Sequence, residues 1–336
     1  VAPDLLADPD ILLAAVQQNW RALELAAPEV RANREVVLCA VRQDWNALAY
    51  AAQEVRSDRG VMLEAVRQDW SALAHATPET RADREVILTA VKQHWRALKY
   101  AAPEIRGDPG VVLEAVQQNW SALEFAGREA RADRAVMLAA VQQDWAALAH
   151  TTPEIQADRE ILLTAVRQHW HALRHAGPEI RADRGVVLVA VRQDWNALKY
   201  ATKESYRDHE VMLAAVEQDW RALEHADPEI GADREVLLAG VRQSWQALSY
   251  AKPVFYGDRE MMLIAVRQRA DVFRQVAEEL RADRDIAAAA VCQDGSILEV
   301  VAESLQADHD IAHAAVQQHG IALRFAPQLQ SNRKIV

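Results

Sequence analysis

His171 and His175 stand four residues apart, the spacing at which two imidazoles share a helix face and hold a metal ion, with His150 one unit earlier as a third donor. No glutamate follows the first histidine, as it does in the His-Glu-x-x-His helices that hydrolyse peptides, so solvated histidines and no metal site are expected. The chain has no glycine-rich phosphate loop and no Gly-x-Ser-x-Gly nucleophile turn. Its carboxylates recur at fixed places from one end to the other, and a group repeated thirteen times is architecture before it is an active site. Neither an enzyme nor a bound cofactor is expected.

The residues left with something to do are aromatic rings and amides. Every tryptophan of the chain lies in one register, at Trp20, Trp45, Trp70, Trp95, Trp120, Trp145, Trp170, Trp195, Trp220 and Trp245, each 25 residues after the last. Two residues before each stands a glutamine, in a row that continues past the tryptophans: Gln18, Gln43, Gln68, Gln93, Gln118, Gln143, Gln168, Gln193, Gln218, Gln243, Gln268, Gln293 and Gln318. An amide both donates and accepts, so this row is expected to bond helix-end carbonyls or the turns of a neighbouring repeat. A third row alternates rings and imidazoles: Tyr50, His75, Tyr100, Phe125, His150, His175, Tyr200, His225 and Tyr250. Amphipathic rings of this kind belong at recognition surfaces, and these nine are the candidate partner-binding residues.

A strict 25-residue period positions all three rows. With residues 82–106 numbered 1 to 25, position 2 is Asp in twelve repeats and Asn33 in the other, which supplies an N-cap. Helix A is predicted over positions 3 to 12, with positions 6, 7, 9 and 10 as its buried face. Position 13 is mostly Asp, Asn or Ser and reads as a second N-cap. Helix B then runs from about 14 to 20, with Trp at 14, Leu at 17 and Ala at 20 turned inward, until Pro at 22 stops it. On that geometry the Trp and Gln rows are structural ladders, and the variable positions 15, 18 and 19 face a partner. Helices this short stand only by stacking on the next pair. The fold class expected is all-α, an α-solenoid of thirteen 25-residue two-helix repeats in which helix B is short or 3₁₀.

The pattern Asp-Arg-Glu-Val-Val-Leu-x-Ala-Val-x-Gln-Asp, approached most closely at Asn33 to Ala51 and Asp183 to Ala201, resembles the tandem repeats of domain-of-unknown-function family 4116 along the whole chain. The resemblance implies helical repeats and an interaction role, and it brings no catalytic residues. Position 14 is typically Gly in that family, as at Gly295 and Gly320, so the Trp row is a departure from it. A fainter similarity to the leucine-rich variant repeat, carried by Asp8-Pro9-Asp10, implies a 3₁₀ second helix.

Residues 1–336 read as a single continuous array. Residues 1–6 close a preceding repeat, 7–331 form thirteen repeats of which the last three diverge, and 332–336 open a further one, as in a segment of a longer chain. The net charge of −11, with no basic tail, disfavours a surface that gains affinity from phosphates. Cys39 and Cys292 are ten repeats apart and frame no disulfide. No apolar stretch approaches the length that spans a bilayer. The compartment stays open, with a soluble, intracellular chain favoured and peripheral association with a membrane complex left open. The function expected is a non-catalytic protein-binding scaffold, as a stabilising subunit of a large assembly. The alternatives are a modular reader of single-stranded nucleic acid, since positions 13 and 15 vary in a fixed frame, or a carrier of a hydrophobic ligand or pigment on the Trp row.

Overall fold

The computed structural model describes residues 6–326, and among them every regular element is helical. Successive repeats pack against their neighbours as an all-α solenoid. The chain divides into two compact units, Val1–Ile180 and Arg181–Val336, each treated by itself below. Of the repeat fragments expected at 1–6 and 332–336, all but Leu6 lie outside the described residues, as does the end of the thirteenth repeat at 327–331.

One repeat shows how the sequence makes the turns. Asp83 accepts hydrogen bonds from the N–H groups of Glu85 and Val86 at 2.9 and 3.1 Å, and helix A runs from Arg84 to Gln93. His94 is extended (φ −155°, ψ 125°), its N–H closing on the Ala90 carbonyl, and Trp95–Tyr100 form a 3₁₀ helix. Ala101 and Ala102 are again extended, the conformation that a following proline enforces. Pro103 then does more than stop helix B: it opens a third helical turn, helix C, at Pro103–Arg106. The repeat therefore has three helical segments and not two. A proline ring fixes φ near the helical value and lacks the N–H that a first-turn residue would leave unpaired, so one residue ends one helix and starts the next.

The buried face of helix A is turned from the expected one. Positions 5, 6, 9 and 10 are buried, as in Val86, Ile87, Ala90 and Val91, whereas Leu88 at position 7 is half-exposed. In helix B the core takes Ala97 and Leu98, both fully buried, and Ala101 just beyond. Trp95 is only half-buried, as are all ten tryptophans. The expectation that Trp turns inward with Leu and Ala is thus corrected. Alanine at position 16 and leucine at 17 already take the core places of helix B, and the indole lies across the seam to the next repeat.

Within each unit three polar devices close the seams. The N–H at position 21 donates to the carbonyl at position 25 of the preceding repeat, as from Ala52 to Arg31, Ala102 to Arg81 and Lys252 to Gly231, at 2.9–3.0 Å. The Arg at position 3 pairs with the capping Asp of the next repeat: Arg34 with Asp58, Arg84 with Asp108 and Arg184 with Asp208, each at 2.8 Å. Arg59 and Arg134 also meet Glu85 and Glu160, the first-turn acids of the next helix A. These guanidinium groups are more than half exposed and screened by solvent, so the pairs add little stability, and the row matters chiefly for register.

The third device is the glutamine row. The Nε2 of Gln118 donates to the Val91 carbonyl at 2.6 Å, and its Oε1 accepts the Trp95 N–H at 2.9 Å. Gln43, Gln68, Gln143, Gln168, Gln218, Gln243 and Gln268 repeat both bonds on the preceding repeat. Those two backbone groups are orphans by geometry, the last-turn carbonyl of helix A and the first N–H of helix B. One amide satisfies both.

Gly295 marks a different seam. Helix A there is shortened to Arg284–Val291, and a Cβ on Gly295 would stand 2.2 Å from the Ala315 carbonyl oxygen of the next helix. Only glycine allows that approach.

Candidate functional site

Helix B carries the chemistry that varies over this fixed frame. At Trp20, Trp45, Trp95, Trp120, Trp145, Trp195, Trp220 and Trp245 the N–H of its first residue is held by the next repeat's glutamine, which fixes where those indoles leave the backbone. The Trp ring then lies against the position 19 ring of the next repeat. Trp20 pairs with Tyr50, Trp45 with His75, Trp70 with Tyr100, Trp95 with Phe125, Trp120 with His150 and Trp195 with His225, at centroid separations of 6.1–6.4 Å. The two rows that the sequence separates, one as core and one as surface, are brought together within each unit as a half-exposed aromatic ribbon. Tyr50, His75, Tyr100, Phe125, His150, His175 and Tyr200 are half-buried in it, and His225 and Tyr250 are exposed.

The imidazoles in the ribbon are tuned as rings. Burial, with the neighbouring Arg56 charge second, lowers the His75 pKa below its ordinary value, and burial with Arg131 does the same for His150. Both stay neutral at neutral pH, which suits stacking on an indole. Position 25 supplies those arginines and has a second task, capping the end of helix B. Arg31 donates to the Glu24 carbonyl at 2.8 Å and Arg106 to the Lys99 and Ala101 carbonyls at 2.6 and 2.8 Å. Tyr206 and Tyr256 reach the Leu198 and Leu248 carbonyls, one position earlier in helix B, with their hydroxyls, and Gln306 reaches that of Leu298 with its amide. Three residue types thus serve one purpose there.

Position 13 lies in the same ribbon. Its side chain caps helix B by accepting the N–H two residues on, as Asp69 does from Ser71 at 2.8 Å and Asn119 from Ser121 at 2.8 Å. When the residue is long enough it also covers the preceding repeat's Trp. His94 stacks on Trp70 at 4.9 Å and on its own Trp95 at 5.9 Å, and His169 sits likewise between Trp145 and Trp170. The Arg269 guanidinium lies 5.2 Å from the Trp245 ring. Of the three histidines read for metal spacing, His171 lies on Trp170 at 3.6 Å and beside His169, and His150 lies on Trp120. No group of three metal-ligating side chains gathers among the described residues.

The family model for the Domain of unknown function (DUF4116) matches residues 33–81, 83–130, 108–156, 133–181, 158–206, 208–255, 258–306 and 283–330. The chain belongs to this family. Each DUF4116 match opens at a helix A cap, such as Asn33 or Asp83, and those that end within the described residues close in a helix C, so the family unit is two consecutive repeats and its one internal seam. No curated protein matches the chain. No helix is long and apolar enough to cross a membrane among the described residues.

Sequence reasoning missed the Arg–Asp row, the position 25 caps and the placing of position 13 over the preceding indole. The first had a signal, because nine of the thirteen repeats carry Arg directly after the capping residue. The last had none, since contact between residues 24 apart depends on the seam.

Proposed function

We propose that this DUF4116 chain is a non-catalytic scaffold that binds a protein partner along the aromatic ribbon of helix B, as a stabilising subunit of a larger assembly. The observation that carries the reading is that ten large rings, most of them on residues whose N–H the next repeat's glutamine holds, are left half in solvent over a core already filled by alanine and leucine. Aromatic rings held rigid contribute buried area with little entropy loss on binding. Around them positions 15 and 18 change from repeat to repeat, through Ser71, Arg96, Ser121 and Ala146 at one and Ala74, Lys99, Glu124 and Ala149 at the other. Constant rings with variable neighbours suit a surface that reads one extended partner.

A second reading is favoured by the imidazole of His94 lodged between two indoles: a planar base fits the same space, as in a reader of single-stranded nucleic acid. The charge of −11 and the carboxylates at position 13 weigh against it.

The test is a photo-crosslinking residue placed at Ser71 or Ser121 in the ribbon, or at Thr89 or Ala139 on the outer face of helix A, in native extract with and without nuclease. Protein crosslinks confined to the ribbon positions and indifferent to nuclease support the proposal. Crosslinks from helix A alone, or to nucleic acid, overturn it.

A further inference from the structure

Basic side chains on helix B come in pairs. Four repeats carry His or Arg at position 13, and all four carry Lys or Arg at position 18: His94 with Lys99, His169 with Arg174, Arg269 with Arg274 and His319 with Arg324. Of the other nine repeats only the one with Lys199 has a cation at position 18. The fold brings the two positions to one ring, since His169 and Arg174 lie 5.1 and 5.9 Å from the centre of Trp145. Gathered basic groups oppose one another's charge, and a carboxylate set among them turns that cost into attraction. In the second unit the chain supplies the carboxylate itself: Asp271 receives Arg269 at 3.2 Å, and Asp294 lies 3.5 Å from His319.

Repeat 4, in the first unit, has the basic groups without the acid. His94, Arg96 and Lys99 form no ion pair among the described residues, although Arg84 in the same repeat is paired with Asp108. Asp69, which stands to His94 in sequence as Asp294 does to His319, instead accepts the N–H and hydroxyl of Ser71. Arg96 and Lys99 are exposed and rest on the Trp95 and Tyr100 rings, 5.1 and 4.7 Å from their centres. A cation held by a ring face keeps N–H groups for an acceptor. His94 accepts the Arg96 N–H on Nδ1 at 3.1 Å, so its proton sits on Nε2, a donor where Asp or Asn offers an acceptor. His169 accepts the His171 N–H on Nδ1 in the same way at 3.2 Å.

We infer that the protein partner meets the ribbon at repeats 4 and 7 with aspartate or glutamate side chains, received by His94, Arg96 and Lys99 at one and by His169, His171 and Arg174 at the other. The inference rests on the proposed protein-binding ribbon and adds the partner's chemistry at two places. Separate acidic side chains fit better than a phosphate backbone, because Glu124 and Asp144 in the two repeats between would repel a continuous polyanion. The charge of −11 repels an acidic segment elsewhere on the chain, so the two basic places fix its register.

The experiment uses the full chain and fluorescein-labelled Gly/Ser peptides carrying four glutamates, four glutamines or four lysines, with a single-stranded oligonucleotide alongside. Net charge alone ranks the lysine peptide first; the basic places rank the glutamate peptide first. Fluorescence anisotropy at low salt is expected to show the glutamate peptide binding about tenfold more tightly than the glutamine one. His94→Asp, Arg96→Ser and Lys99→Ala together give repeat 4 the residues that repeat 3 has at Asp69, Ser71 and Ala74, and should remove one site. The same change at His169, His171 and Arg174 in addition should abolish binding. Arg42→Gln, Arg67→Gln and Lys92→Gln lower the net charge by as much as the first set, on the exposed end of helix A, and should leave binding unchanged. Circular dichroism verifies folding, which residues native to the same positions in other repeats preserve. No binding of the glutamate peptide, preference for the lysine peptide or the oligonucleotide, indifference to the six substitutions, or loss in the helix A variant overturns the inference. If the glutamate peptide fails while ribbon crosslinks to a protein persist, the acidic chemistry is wrong and the scaffold reading stands. If ribbon crosslinks also fail, both are wrong.

Discussion

Replacing Gln118 by Met keeps the length and flexibility of the side chain and removes both polar atoms at one seam. The Val91 carbonyl then loses its 2.6 Å bond and the Trp95 N–H its 2.9 Å bond. A neutral hydrogen bond contributes about 1 kcal/mol net, and leaving a buried partner unpaired costs more. Both groups lie near the surface, where water recovers part of the loss, so the expected destabilisation is about 1–2.5 kcal/mol. Arrays of repeats do not unfold as one unit, and the effect is best read locally. Amide hydrogen exchange reports it: the Trp95 N–H should exchange about tenfold faster or more, with little change in helices two repeats away. Gln118→Glu keeps the acceptor for Trp95 but sets a carboxylate against the Val91 carbonyl, so it should be at least as damaging at neutral pH and recover as the carboxylate is protonated. If Gln118→Met costs less than about 0.5 kcal/mol, well under the range for two such bonds, the amide row is not what satisfies the turn.

Three further outcomes follow from the same geometry. Leu98→Ala, at a fully buried position, should cost about 2–5 kcal/mol in urea unfolding, while Trp95→Ala next to it should cost about 1–2.5, because half of the ring is already in water. The capping carboxylates of Asp58 and Asp108 are held below their ordinary range by hydrogen bonds from Arg34 and Arg84, so their stabilisation is complete above about pH 4 and is lost as pH falls through the lowered folded values. Acid titration of Arg34→Ala with Arg84→Ala should accordingly show a shallower loss than the native chain. His209 stands where most repeats have Arg, and its hydrogen bond to Asp233 raises its pKa above 6.5, so that seam is fully stabilised below about pH 6.5 and weakens as pH rises through the folded value. In His209→Arg the thermal midpoint should no longer fall between pH 6 and pH 8.

The period makes the solenoid legible, and the caps and the proline make the bounds of helix A legible, because a cap and a proline act on residues within four positions of themselves. Asp83 and Arg84–Gln93 lie where the N-cap pattern puts them. What the sequence hid was set across seams. The face of helix A is chosen by two neighbours at once, which buries position 5 and leaves the position 7 leucine half-exposed. A tryptophan at an i, i+3 spacing from leucine looks like core, and it stays outside because alanine and leucine have filled the interior. Pro103 read as a stop, although the same fixed φ also starts helix C. As for the candidate site, the nine position 19 residues were legible as rings near the surface. Their partners in the Trp row were not, since Trp95 and Phe125 are 30 residues apart and meet only when two repeats stack.

The central claim, that the half-exposed ribbon is the binding face, is tested most directly by affinity capture from native extract with three forms of the chain. One is native, one carries Trp45→Ala, Trp70→Ala and Trp120→Ala, and one carries Leu38→Ala, Leu88→Ala and Leu138→Ala on the half-exposed side of helix A, all with helicity verified. A protein retained by the native and leucine-substituted chains and lost from the tryptophan-substituted chain is the predicted result; a protein retained by the tryptophan-substituted chain and lost from the leucine-substituted one would place the binding face on helix A and contradict the account.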